Sequence, residues 1–106
     1  MVGEITAEGL KARLDAGDTP VVLDVREPWE VAIARLECAV VIPMDQIPAR
    51  LGELDAARDT IVMCYSGGRS MQVAQFLAAR GFASVSNLVG GILAWTRDVD
   101  PTLDTY

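Results

Sequence analysis

TIVMCYSGGRS, residues 60 to 70, changes character twice within one short stretch. Thr60 to Met63 is apolar and β-branched, the composition of a strand buried on both faces. CYSGGR, Cys64 to Arg69, is small, polar and glycine-rich, and reads as a loop. From Ser70 the apolar residues Met71, Val73, Ala74 and Leu77 recur at helical spacing, which predicts a helix over Ser70 to Ala79, ended by Arg80 and Gly81. A strand that runs through a tight loop into a helix is half of a parallel crossover unit.

The same alternation continues on both sides. Thr6 is a suitable cap for a helix over Ala7 to Ala16, stopped by Gly17. VVLDV, Val21 to Val25, predicts a strand, and Pro28 suits the first turn of a short helix reaching Ile33 or Ala34. AVVI, Ala39 to Ile42, predicts another strand closed by Pro43. Asp45 can cap a helix through Leu51 and Leu54, although Pro48 limits where it starts. Val85 to Leu88 predicts a further strand, and Gly90 and Gly91 turn the chain into a last helix over Ile92 to Thr96. The polar segment from residue 98 to residue 106 is expected to be a loosely packed tail. Strands alternating with helices require a parallel sheet covered on both faces, an α/β fold whose site lies at the carboxyl ends of the strands. The ends of VVLDV and TIVM bring Asp24, Arg26 and Cys64 to that edge.

The chain has 106 residues, 51% of them hydrophobic and 23% charged, which suits one folded domain over residues 1–106. A net charge of -6 repels a phosphate backbone, so nucleic acid is not an expected partner. No apolar run approaches the roughly 18 residues of a membrane span, and the N-terminus lacks the pattern of a signal peptide. The expectation is a cytoplasmic protein, monomeric or weakly dimeric, with no membrane association.

Two cysteines, Cys38 and Cys64, are too few for a disulfide framework. With no histidine in the chain, Cys–His dyads and the common His-containing zinc sites are excluded, and neither a metal nor a cofactor is expected. Cys64 nevertheless reads as a reactive thiol. Gly67 and Gly68 allow backbone N–H groups to turn inward, and the following helix adds unpaired donors and a positive dipole end. Such a cradle lowers a thiol pKa without a histidine, and Arg69 adds a permanent charge. Four residues, Tyr65, Ser66, Gly67 and Gly68, separate Cys64 from Arg69. The phosphatase arrangement has five, so this narrower loop suits a single sulfur better than a phosphoryl group.

LDVREPWE (Leu23 to Glu30), AVVIP (Ala39 to Pro43), CYSGGRS (Cys64 to Ser70) and NLVGGILAW (Asn87 to Trp95) together resemble the rhodanese family of single-domain sulfurtransferases. The resemblance implies the rhodanese fold with about five parallel strands, the fifth near Glu4 and Ile5. It implies a Cys64 persulfide, formed from a small anionic or persulfide donor such as thiosulfate. The acceptor would be a small thiol, cyanide or a protein thiol. Tyr65, Ser66, Gly67, Gly68, Arg69 and Ser70 would form the binding loop. Asp24 and Arg26 would support it through hydrogen bonds and ion pairs, although a surface pair of Arg26 with Glu27 or Glu30 suits the spacing too. Trp29 and Trp95 can line the entrance or join the core, and Cys38 reads as a small core or loop residue. The sequence departs from the family pattern at Ala34-Arg35-Leu36, where many members carry Gly-His, and at Cys38, where many carry glycine. With one basic residue in the loop and an acidic chain, a neutral or protein-bound persulfide suits the site better than thiosulfate. A sulfur-carrier or regulatory module serving a protein partner, and a phosphatase of related fold, are the competing readings.

Overall fold

Side-chain alternation along the strands divides the interior into two layers. The computed structural model describes residues 1–106. Five strands, β1 (Val2–Ile5), β2 (Val21–Asp24), β3 (Val40–Val41), β4 (Thr60–Met63) and β5 (Val85–Leu88), form one sheet in the order β1-β5-β4-β2-β3. Every neighbouring pair is parallel. The helices are α1 (Ala7–Asp15), α2 (Pro28–Ile33), α3 (Ile47–Arg50), α4 (Gly68–Ala79) and α5 (Gly91–Asp98). Val22, Ile61, Met63 and Leu88 pack with Leu10 of α1 and Ile92 and Trp95 of α5. Leu23, Val62, Cys64 and Val85 pack with Ile47 of α3 and Val73, Ala74 and Leu77 of α4. This is the expected α/β architecture of about five parallel strands with helices on both faces.

The strand order explains where a site can form. From β2 the chain crosses outward to β3, and from β4 it crosses the other way to β5. The loops after β2 and β4 therefore diverge, which opens a crevice at the carboxyl ends of these adjacent strands. Asp24 ends β2 and is in register with Met63, which ends β4 and precedes Cys64.

Several boundaries differ from the sequence expectation. The AVVI strand pairs only through Val40 and Val41 at the sheet edge. The helix expected from Asp45 is split into a 3-10 turn over Met44–Gln46, the single turn of α3, and a second 3-10 turn over Leu51–Glu53. Pro48 lacks an N–H and fits only the first turn of a helix, which accounts for the break. The tail is not loose: Leu103 and Tyr106 pack against the core, and the Tyr106 ring lies edge-on to Trp29 and tilted against Tyr65. No helix is long and apolar enough to cross a membrane.

At Gly91 the start of α5 lies against the backbone of the Cys64 loop. The φ of Gly91 is +56°, and a Cβ built there would overlap the carbonyl oxygen of Cys64 and lie 2.5 Å from that of Tyr65. Gly81 also has positive φ, +88°, but has open space around it. Gly81→Ala should therefore cost about 1 kcal/mol of unfolding free energy, and Gly91→Ala roughly 3 kcal/mol or more, because backbone atoms cannot yield as a side chain can. Urea melts of the two variants compare them directly; equal costs would show that the close approach at Gly91 is not needed.

Candidate active site

Cys64 continues the period-two pattern of β4. Ile61 and Met63 face α1 and α5, whereas Val62 and Cys64 face α4. The thiol is thus aimed at the start of α4. The loop turns at Gly67, whose φ of +114° places it in the left-handed region, and α4 begins at Gly68. The helix starts two residues before the expected Ser70, which sits inside the first turn. The Gly67 N–H donates to Cys64 Sγ at 3.1 Å, and Ser70 Oγ lies 3.3 Å from the same sulfur.

α5 explains why the loop donors point inward. Its first N–H groups have no partner within the helix. The Ile92 N–H donates to the Cys64 carbonyl at 2.9 Å, and the Leu93 N–H donates to the Tyr65 carbonyl at 3.1 Å. In a planar trans peptide the C=O and the next N–H point in opposite directions. Drawing the Tyr65 carbonyl towards α5 therefore turns the Ser66 N–H towards the sulfur.

Cys64 is buried, and that burial is the largest single influence on its thiol, pushing its pKa up. The Ser70 hydroxyl, when turned to the sulfur, and the backbone N–H groups of Ser70, Gly67 and Ser66 favour the thiolate and outweigh it. The net direction is down from the ordinary thiol value, as a helix N-terminus and inward amides require.

Arg69 does not extend freely over the pocket. Its guanidinium forms a fork-to-fork pair with Glu30, with both hydrogen bonds at 2.8 Å. Glu30 also accepts from its own helix start, the Glu27 N–H at 2.8 Å, and from Tyr106 Oη at 3.0 Å. These bonds, led by that of Arg69, hold the Glu30 carboxyl at about 2 despite its burial. Beside Arg69 lies an open groove of about 430 Å³ lined by Glu27, Met44, Asp45 and Pro48.

Asp24 and Arg26 are fully buried and paired, with Arg26 Nη2 to Asp24 Oδ2 at 2.7 Å. This burial rules out the alternative that Arg26 stands in a surface pair with Glu27 or Glu30. The remaining Arg26 donors reach the carbonyls of Ala34 at 2.7 Å and Glu30 at 3.3 Å, and Tyr106 Oη at 3.0 Å. Neither residue bonds to the Cys64 loop. Asp24 fixes Arg26, Arg26 fixes α2, and α2 carries Glu30 to Arg69, so any support for the loop passes through that chain of contacts.

Tyr65 is half-buried and donates its hydroxyl to the Tyr106 carbonyl at 3.1 Å. Ser66 and Gly68 are exposed at the mouth. Trp95 belongs to the core, Trp29 is 61% exposed beside the mouth, and Cys38 is exposed on the loop before β3. No three Asp, Glu or Cys side chains converge as metal ligands.

A buried cysteine inside a ring of amides, between divergent loops of a parallel sheet, is matched by the rhodanese-like domain family over residues 6–98. The chain belongs to that family. A protein called a sulfurtransferase from Allochromatium vinosum is 40% identical over 97 residues, covering 92% of this chain and 91% of its own. The putative sulfurtransferase YtwF of Bacillus subtilis is 37% identical over 100 residues, covering 94% and 96%. The crystal structure of a rhodanese-like domain protein from Staphylococcus aureus superposes with a TM-score of 0.86 at 31% identity, covering 99% of both chains.

Sequence reasoning did not find Glu30, Asn87 or Tyr106 as parts of this rhodanese-like site. Glu30 carried one usable signal, since Glu27 and Glu30 flank Pro28 at capping-box spacing, and that box is present. Asn87 carried another, as an amide in an otherwise buried strand must find partners. Nothing marked Tyr106.

The Glu30–Arg69 pair makes stability acid-dependent. Glu30 titrates near its ordinary 4.5 in the unfolded chain and at about 2 in the folded one. Its contribution is complete above pH 4.5 and is lost as pH falls towards 2. Urea melts across that window should show a falling midpoint, and Glu30→Gln should flatten the fall. An unchanged slope in the variant would show that Glu30 is not the group responsible.

Proposed function

We propose that this rhodanese-like domain is a sulfurtransferase that carries sulfane sulfur on Cys64. The observation that supports it most is the Cys64 sulfur held by the Gly67 N–H at 3.1 Å within a loop whose first two carbonyls, those of Cys64 and Tyr65, are tied away to α5. Preset donors of this kind stabilise a sulfur anion without reorganising during the reaction.

The Cys64 thiolate attacks the outer sulfur of the donor. An Sγ–S bond forms as the donor's S–S bond breaks, and the leaving group departs with the electron pair; with thiosulfate it is sulfite. An acceptor thiolate or cyanide then attacks the outer sulfur, the Sγ–S bond breaks, and Cys64 returns as a thiolate. The cycle is a double displacement with no net oxidation of the protein. The side chains at the mouth bear on the donor. Arg69 is already matched by Glu30, and Glu27 and Asp45 face the same groove. A dianion such as thiosulfate gains little there, whereas a neutral or protein-bound persulfide meets no repulsion.

With thiosulfate and cyanide the protein should form thiocyanate, and Cys64→Ser should abolish turnover. Intact mass after thiosulfate treatment should show one added sulfur, absent in Cys64→Ser. Turnover of an aryl phosphate without any sulfur adduct would instead favour a phosphatase. Glu30→Gln, by freeing the Arg69 charge, should lower KM for thiosulfate roughly fivefold with little change in kcat. A raised KM would mean that Glu30 holds Arg69 in its working position.

A further inference from the structure

Ser70 and Asn87 form a buried polar pair behind the sulfur, 0% and 5% exposed. Ser70 Oγ lies 2.6 Å from Asn87 Oδ1 and 3.3 Å from Cys64 Sγ. Asn87 Nδ2 donates to the Gly67 carbonyl at 3.2 Å, which fixes which end of the amide faces Ser70. An amide oxygen only accepts, so at 2.6 Å the proton between the two oxygens belongs to Ser70. A hydroxyl has one proton. While it is given to Asn87, Ser70 offers the sulfur only a lone pair. That arrangement suits a thiol, whose own S–H can donate to Ser70 Oγ, and disfavours a thiolate.

We propose that Asn87 is a positioning residue of the sulfur site: it holds the Ser70 hydroxyl proton while Cys64 is uncharged, and yields it when Cys64 becomes a thiolate. Two positions of one proton then serve the two states of the sulfur. In the thiol the hydrogen bonds run Sγ–H to Ser70 Oγ and Ser70 Oγ–H to Asn87 Oδ1. In the thiolate the Ser70 hydroxyl turns to Sγ, and the bond to Asn87 is given up. Its role in turnover rests on the sulfur-transfer reading: Cys64 is a thiolate when it attacks the donor and again when it leaves the persulfide, and is uncharged at the inner sulfur between those steps.

The surrounding charges form a fixed background. Arg69 faces the sulfur from α4 and is paired with Glu30 of α2. Asp24 and Arg26 pair with one another at the end of β2, and Tyr106, raised by its burial, closes the tail side. Glu30 is ionised above about pH 2, and Arg69 is raised by it. β5 carries no titratable side chain on Val85 to Leu88.

The test is the pH dependence of Cys64 alkylation by iodoacetamide, followed by mass spectrometry of the proteolytic peptides so that Cys38 is scored separately. This readout requires no sulfur transfer, so it fails or succeeds apart from the proposed activity. Asn87→Ala should lower the midpoint by about one pH unit, because Ser70 is free to donate to the thiolate. Asn87→Asp keeps an acceptor for Ser70 and adds a negative charge, so it should raise the midpoint. In a Ser70→Ala background, Asn87→Ala should leave the midpoint unchanged, since the link to the sulfur is gone. A merely structural Asn87 would move both single variants in the same direction, or keep its effect without Ser70; either result overturns the proposal. If Asn87→Ala does not fold, Asn87→Leu, which is close in size and offers Ser70 no acceptor, takes its place with the same expected fall, and a rise overturns the proposal.

Discussion

The two hydrogen bonds from the start of α5 to the Cys64 and Tyr65 carbonyls are the constraint on which the site depends. Without them the loop carbonyls could face the sulfur, where their lone pairs would repel a thiolate. With them, peptide planarity turns the following N–H groups towards the sulfur. The contact requires the backbone of Gly91 to lie against the Cys64 loop, closer than a residue with a Cβ allows. Gly90 and Gly91 at the start of α5 and Gly67 and Gly68 of the Cys64 loop therefore solve one geometric problem from opposite sides.

That constraint also explains which parts of the protein were legible in the sequence. The order of elements, the five-stranded parallel sheet and the placement of Cys64 at a strand end follow from patterns of period two and period 3.6, which are local. Gly67 and Gly91 could be flagged as turn formers, but the contact at Gly91 joins residues 27 positions apart from Cys64 in the chain (91 minus 64). No local pattern reports such a contact. The start of α4 shows the same limit on a smaller scale. Apolar spacing places the helix start at Ser70, whereas Gly67 in the left-handed region already makes the turn, so Ser70 moves into the first turn and faces the sulfur.

Charges were harder to place than apolar residues. Asp24 and Arg26 are expected from the sequence to support the Cys64 loop through hydrogen bonds and ion pairs. Their actual surroundings are carbonyls of α2 and the hydroxyl of Tyr106. The reason is that Arg26 is fully buried, and a buried guanidinium needs a partner for each donor. Asp24 satisfies only one side of it. The irregular backbone after α2 and the tail supply the rest, which is also why the polar-looking segment ending at Tyr106 is ordered. A tail judged by composition alone reads as loose, but Tyr106 completes two buried ions at once, Arg26 and Glu30.

These pairings give the mouth a different character from the loop floor. The floor concentrates donors: the N–H groups of Ser66, Gly67 and Ser70 converge on the sulfur. At the mouth the Arg69 charge is balanced by Glu30 and bordered by Glu27 and Asp45. An anion produced on Cys64 is therefore stabilised by neutral dipoles at short range, while an anion approaching from solvent finds little net attraction. Dipoles act over a few ångströms and a net charge acts over a Debye length of roughly 8 to 10 Å, so the two need not share a sign. The site can thus favour the sulfur anion that it makes without attracting small anions in general. Selectivity of this kind requires no histidine and no excess of basic residues, and it is compatible with a chain whose net charge is -6.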